Sequence, residues 1–406
     1  MKYTVDEVLD FVEQEDVKFI RLAFCDTFGR QKNIAILPSE LRRAFADGVS
    51  FDASAIRGFT AASSSGAESD LFLHPIPSTL TILPWRSLQG KVVRMFCNIR
   101  HPDGTPFAKD SRAILSRAVE AYKEKGIVVN FGSEYEFYLF ETDERGKPTS
   151  VPFDEAGYMD VSPDDKGEDI RREICLSLME MGIHPEASHH EEGPGQNEID
   201  FRYSDALTAA DNAFNFITVV KAAAIHNGLF ADFSPKPLPG ESGSGFHINI
   251  SVKSNDGRDL MPAFMAGIME HIKEITAFLN PTMESYARLG EKKAPKYISW
   301  SPENRSQLIR VPAAKGENRR IELRSPDPMA NPYIAYALLI HAGLDGIARG
   351  LELPPASELD LYTAPPEVLA KLDALPASLE EAVKLASESG FVASVLPEGF
   401  AESLLG

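Results

Sequence analysis

The sequence predicts a mixed chain in two parts: a smaller N-terminal unit followed by a larger α/β or α+β domain. Three observations carry this reading. The chain has 406 residues, enough for more than one hydrophobic core. Helical and strand-like apolar patterns alternate through its larger part. Between the two parts lies HPDGTP, residues 101–106, whose Pro, Asp and Gly mark a linker. We therefore divide the chain at 1–102 and 103–406.

The elements follow in order. Thr4 and Glu7 form a capping-box signature for a helix from Val5 to about Glu13. FIRLAFCD and KNIAIL read as strands joined at Thr27–Gly29, and further strands are expected at Leu80–Leu83 and Lys91–Cys97. Beyond the linker, Ser111–Lys125 reads as helix, Ile127–Phe140 mostly as strand, and Asp169–Met181 as helix. Thr208–Asn227 is a helix stopped by Gly228. Phe264–Leu279 is another, ending at Asn280–Pro281, and Lys296–Trp300 is strand-like. Asn331–Pro332 opens a helix that runs to Gly350. A Pro-rich connector, Leu353–Pro376, leads to a last helix with the capping box Ser378–Glu381.

Composition narrows the function. Sixty acidic against 41 basic residues give a net charge of −19, which repels phosphate backbones and argues against nucleic acid or an anionic membrane as partner. Cys25, Cys97 and Cys175 have neither a zinc spacing nor a disulfide framework, as expected of a reducing cytoplasm. MKYTVDEVLD is too charged for a signal peptide, and no apolar run is long enough to span a bilayer.

Four stretches carry chemistry. In GSEYEFYLF (132–140), period-two alternation puts Glu134 and Glu136 on one strand face, about 7 Å apart, where they repel unless a cation is near. A solvent-facing strand would show the same pattern. HHEEGPGQNEIDF (189–201) packs two histidines with Glu191, Glu192 and Glu198 around a Pro–Gly–Gln turn. If the turn folds back, Glu191 and Glu198 meet, and their oxygens suit magnesium or manganese; otherwise it is a polar surface turn. GESGSGFHINIS (240–251) places a glycine run before a strand bearing His247, Asn249 and Ser251 on one face. It lacks the Lys–Ser/Thr of a P-loop. The segment 288–324 concentrates Arg288, Arg305, Arg310, Arg319, Arg320 and Arg324, several in apolar settings such as SQLIRVP and RIELR. Unpaired charge is costly there, so an anion site is expected. Carboxylates with one His, clustered arginines and a glycine loop form the equipment for moving a metal-bound phosphoryl group to an anionic acceptor.

At these residues the chain resembles the glutamine synthetase family, in particular its bacterial type I enzymes. The likeness runs through KFIRLAFCDTFG, FDASAIRGF, ESDLFLHP, GSEYEFYLF, HHEEGPGQNEIDF, SPKPLPGESGSGFHINIS, APKYISWSPENRSQLIRVP and RIELRSPDPMANPYIAYALLIHAGLDGI. It implies an α+β fold: an N-terminal β-grasp domain and a catalytic domain with a curved antiparallel sheet flanked by helices. It also implies a homo-oligomeric ring with each active site between neighbours. By motif, Glu136, Glu191 and Glu198 would hold one Mg2+ or Mn2+, and Glu134, His247 and Glu322 a second that bridges the ATP phosphates. Arg305 and Arg310 match arginines that handle the phosphates, Arg320 a nucleotide-side arginine, and Ser251 a nucleotide contact. Arg288 and Arg324, with Gly243 beside them, match the glutamate grip. Asp52 matches the aspartate that a neighbouring subunit contributes to bind and deprotonate ammonium. The activity so implied is ATP-dependent joining of glutamate and ammonia through γ-glutamyl phosphate.

The sequence departs from the family at the lid. RLGEKKAP (288–295) is one residue short, and Lys293 stands where a Glu normally precedes Ala–Pro. This keeps open a larger amine, a polyamine or monoamine, as acceptor, and also a non-catalytic member that binds nucleotide or glutamate. TAASSSGA (60–67) lengthens the segment after Phe59, Ser242 replaces an Asn in the glycine loop, and a stretch after Ser251 is shortened. The chain stops at Gly406, before the helical extension that joins two rings in relatives, which opens a hexamer or smaller assembly beside the family's dodecamer.

Overall fold

The computed structural model describes residues 3–59, 70–86, 90–314 and 316–405. The insertion at 60–67 lies outside them. The chain forms two compact units, residues 1–114 with 179–182, and 115–178 with 183–406.

In the first unit, α1 (Val5–Gln14) carries the expected reciprocal Thr4–Glu7 capping box. It is followed by β1 (Val17–Cys25), β2 (Gln31–Ile36), α2 (Leu41–Asp47), β3 (Val49–Asp52), β4 (Asp70–Pro75), β5 (Thr81–Ile82) and β6 (Lys91–Arg100). The sheet runs β2-β1-β6-β4-β3, with β5 alongside β6 and β1 parallel to β6. Ile20 and Leu22 of β1 and Val93 and Met95 of β6 are fully covered, and Val8 and Val12 of α1 join the same core. The strand expected at Leu80–Leu83 shrinks to two residues. Turns headed by Pro77 and Pro84 flank it, and proline has no N–H for a ladder.

The second unit contains α3 (Ser111–Lys123, begun in the first), β7 (Ile127–Thr142), β8 (Pro148–Pro152), α4 (Glu168–Glu180), β9 (Pro185–His190), β10 (Gln196–Asp205), α5 (Ala206–His226), β11 (Leu229–Asp232) and β12 (Phe246–Ser254). Then come α6 (Met261–Leu279), α7 (Met283–Arg288), β13 (Trp300–Pro302), β14 (Ile309–Val311), β15 (Ile321–Leu323), α8 (Pro332–Arg349), α9 (Pro366–Leu369), α10 (Leu379–Ser387) and α11 (Gly390–Val395). The sheet is strongly curled and ordered β13-β14-β15-β12-β7-β10-β9. It is antiparallel except for the short β13–β14 pair. Lys296–Trp300 is not the predicted strand: Tyr297 makes only an isolated bridge to Ala374, and β13 begins at Trp300. Helix α8 starts and stops as its sequence dictates. The Asn331 side chain accepts from Tyr333 N, and Gly350 closes the helix in the left-handed conformation at φ 63°. At Ser378 the hydroxyl caps Glu381 N, but the returning Glu381 carboxylate takes the N–H of Ala377, one residue earlier than a capping box requires.

One face of β7 is packed with rings. Tyr135 lies 4.3 Å from Phe246 and 5.3 Å from Phe216, both stacked, and Phe137 is fully buried. This aromatic layer fixes which face of the sheet is left for polar chemistry. Behind it, α6 and α8 meet through glycines. A Cβ at Gly267 would lie 2.1 Å from the Ala342 carbonyl oxygen, and one at Gly346 would lie 2.2 Å from that of Ala263. Neither backbone atom can swing aside, so Gly267→Ala must separate the helices. We expect it to destabilise the fold by about 3 kcal/mol, read as a lowered urea midpoint.

Candidate active site

The acidic side chains of the large sheet face one another because of its register. Glu134 of β7 sits opposite Asp200 of β10 on one side and His247 of β12 on the other. Glu136 sits opposite Glu198, and Glu198 in turn opposite His189 of β9. Glu322 of β15 pairs with Asn249 of β12 and with Arg310 of β14. Like charges directly across a sheet repel. Bound protons or a shared cation relieve that repulsion.

The donors gather into overlapping triplets whose ligand atoms lie within 4.8 Å of one another. These are Glu134–His247–Glu322, Glu136–Glu198–His247, His189–Glu191–Glu198 and Glu134–Glu198–Asp200. The second set expected from sequence is thus present as one triplet. The members of the first are distributed over two, with Glu198 shared. Glu136 is buried and accepts from Gly245 N at 2.7 Å and Gln196 Nε2 at 3.2 Å. Burial, then the neighbouring Glu191 charge, pushes its carboxyl up to about 7. Glu191 and Glu198 are raised for the same first reason, burial, while burial and then Glu134 push Asp200 up to about 9. His247 is buried and held well below its ordinary value, by burial and then by Arg324, so its imidazole is neutral and ready to ligate. Oxygen donors in this number with one neutral imidazole fit Mg2+ or Mn2+. Asp200 adds a buried Oδ1 with no hydrogen-bond partner among the described residues.

A pH dependence follows, and its sign can be worked out. Raising a carboxyl in the folded state means that the metal-free fold loses stability as pH climbs from the ordinary carboxylate range toward 7. A divalent ion needs the ionised form, so its affinity moves the other way. Below pH 7 we expect Mn2+ affinity at the Glu136 position to fall by about tenfold per pH unit for each proton displaced, measured by calorimetry.

Basic groups close the other side. Arg310 Nη1 donates to Glu322 Oε2 at 2.7 Å, and Arg324 Nη1 donates to Glu322 Oε1. Arg324 is fully buried, and its Nε donates to the Arg305 carbonyl at 3.1 Å. Arg288 is buried too and donates from Nη1 to the Ser325 carbonyl at 2.7 Å. Arg305 itself is exposed, though its charge is among those that depress His247. Arg320 Nε donates to Asn249 Oδ1 at 2.8 Å, and Asn249 Nδ2 donates to Glu134 Oε1 at 2.7 Å, so one asparagine links the basic and acidic sides. A cleft of about 460 Å³ opens here, lined by Ser251, Asn249, Glu134, Asp200, Arg319 and Arg320.

The glycine loop is shaped by close approach. A Cβ on Gly243 would lie 2.5 Å from the Pro235 carbonyl oxygen and 2.9 Å from Arg288 Cγ, so only glycine lets this backbone run beside Arg288. Ser242 Oγ donates to Glu192 Oε2 at 3.1 Å. Above the loop, Lys292 Nζ lies 3.6 Å from Glu241, and Lys293 Nζ lies 2.9 Å from Glu192. Asp52 alone of the predicted residues belongs to the first unit; its carboxylate accepts from Ser54 N at 2.9 Å and Ser54 Oγ at 2.6 Å.

Sequence reasoning missed Asp200, His189 as a member of a donor triplet, and Gln196. The signal for Asp200 was available: in NEIDF it alternates in step with Glu198. For Gln196, which joins Glu136 to the Gly243 carbonyl, no sequence signal existed.

Comparison with known proteins points to one family. Residues 16–102 match the family model for the glutamine synthetase β-grasp domain, and 108–405 that for the glutamine synthetase catalytic domain. The glutamine synthetase of Clostridium saccharobutylicum is 46% identical over 403 residues, covering 96% of this chain and 90% of that protein. That of Methanosarcina mazei is 43% identical over 411 residues, covering 97% and 91%. Among solved structures, a GmaS/ADP complex superposes with a TM-score of 0.88 at 28% identity, over 100% of this chain and 94% of that one. With its β-grasp and catalytic domains and this full-length likeness, the chain belongs to the glutamine synthetase family.

Proposed function

We propose that this glutamine synthetase-type ligase joins ammonia to the γ-carboxylate of glutamate, through γ-glutamyl phosphate and with ATP as phosphoryl donor. One observation carries the reading: adjacent strands present a carboxylate face that ends, at Glu322, on two guanidinium groups. Glu136, Glu191 and Glu198 would hold one divalent ion, and Glu134, His247 and Glu322 another. When bound, the ions supply charge neutralisation for the phosphates. Arg305 and Arg310 stabilise the phosphoryl group in transfer, and Arg320 with Ser251 holds the nucleotide. Arg288 and Arg324, beside Gly243, orient the glutamate carboxylates. Ammonium is not nucleophilic until a base takes a proton, the role assigned to Asp52 of a neighbouring subunit in a homo-oligomeric ring. The relative solved as an ADP complex supports nucleotide use. We place the domain boundary at 102/103 and the protein in the cytoplasm; no helix among the described residues is long and apolar enough to cross a membrane.

A larger amine is the second reading, favoured by Lys293 in the lid and the Tyr158 ring 4.7 Å from its ammonium. A non-catalytic role would not require so many mutually repelling carboxylates on one face. The acyl-phosphate route is tested with glutamate labelled by oxygen-18 in its γ-carboxylate. One labelled oxygen should appear in the phosphate released. Unlabelled phosphate would exclude an acyl phosphate.

A further inference from the structure

The lid holds a cation of its own over the carboxylates. Lys293 Nζ lies 2.9 Å from Glu192 Oε1, 3.8 Å from Glu191 Oε2 and 4.7 Å from the centroid of the Tyr158 ring. Two carboxylates and an aromatic face are what a free ammonium ion would be offered. The backbone accepts an awkward conformation to deliver it. Residues 291–294 form a turn closed by Ala294 N donating to the Glu291 carbonyl, and Lys293 occupies its third position at φ 57°. That position favours Gly or Asn, and a lysine there is uncommon. Lys292, one residue before, reaches Glu241 instead, at 3.6 Å.

We propose that Lys293 is a tethered competitor for the divalent cation that draws on Glu191. The inference rests on the reading of Glu191 as a metal ligand. Glu191 belongs to a donor triplet with His189 and Glu198, and the same carboxylate already faces the lysine ammonium. Two cations sharing one carboxylate repel across a few ångströms, so each weakens the other's hold. The lysine therefore lowers metal affinity at this position, and metal entry loosens the 288–295 loop. The loop that covers the site is coupled to the ion by charge alone, with no change of fold.

The test is Mn2+ binding to the purified full-length protein, followed by calorimetry and by electron paramagnetic resonance to count sites. Lys293→Met removes the charge and keeps the bulk; Lys293→Gly removes the charge and relieves the turn. Both should tighten one Mn2+ site by about threefold to tenfold at low ionic strength, with the gain shrinking as salt is added. Lys292→Met should leave every site unchanged. In the wild-type protein, Mn2+ should speed amide hydrogen exchange in 288–295. Wild-type Mn2+ binding with unaltered affinity in both Lys293 variants would overturn the competition while leaving the metal assignment intact. Tightening of methylammonium but not of Mn2+ would also overturn it, by placing the competition with the amine. No Mn2+ binding by any of the proteins would overturn both this inference and the reading it rests on.

Discussion

Glu136→Ala is expected to lower turnover by about a thousandfold or more while leaving the thermal midpoint of the metal-free protein unchanged or raised. The reasoning starts from the strand. Core volume on β7 belongs to Tyr135 and Phe137, which stack on the opposite face, so truncating Glu136 opens no cavity there. What is lost is a buried carboxylate pressed against Glu191, together with the hydrogen bonds from Gly245 N and Gln196 Nε2. Losing the first relieves repulsion; losing the second leaves a buried amide unpaired, at about 1–3 kcal/mol. The two roughly cancel for stability, but only the carboxylate can hold an ion. Turnover, Mn2+ stoichiometry and a melting curve on one preparation check the claim. A variant with normal turnover would show that the carboxylate face is not the catalytic one.

Glu322→Ala should behave in the opposite way and lose stability first. Glu322 is fully buried, yet it is held by Arg310 on one oxygen and Arg324 on the other. Removing it leaves the interior guanidinium of Arg324 without its carboxylate, the case in which breaking a buried pair costs about 3–5 kcal/mol. His247, whose Nδ1 lies 3.8 Å from Glu322, would then face Arg324 without the intervening negative charge. A lowered urea midpoint together with lost activity is the expected result. Stability equal to wild type would mean that the pair is not what holds β14 and β15 together. Two glutamates of one site thus separate experimentally: one is strained by like charge, the other pinned by unlike charge.

Local rules made the elements legible. Alternation in GSEYEFYLF assigned Glu134 and Glu136 to one face, and the Asn331–Pro332 and Gly350 signals bounded α8. Register was not legible. That Glu198 faces Glu136, and Asp200 faces Glu134, depends on how β10 lies along β7, which is set by distant packing. Short strands were harder to read: β13 and β14 have three residues each, too few for a period to register, whereas alternation in RIELR marked β15. The sequence marked Lys293 as out of place, but Glu192 and Tyr158, its partners from elsewhere in the chain, emerge only in three dimensions. The glycine contact between α6 and α8 is likewise a property of the packed pair, since neither helix alone requires Gly267 or Gly346.

Glutamate-dependent release of phosphate from ATP, with Mg2+ or Mn2+ and a panel of amines headed by ammonia, tests the central claim most directly. The account predicts release that requires metal, glutamate and ammonia together, and that disappears in Asp52→Ala. Release with alkylamines but not ammonia would transfer the assignment to the larger-amine reading. Folded, metal-loaded protein that releases no phosphate with any amine would contradict the ligase assignment itself.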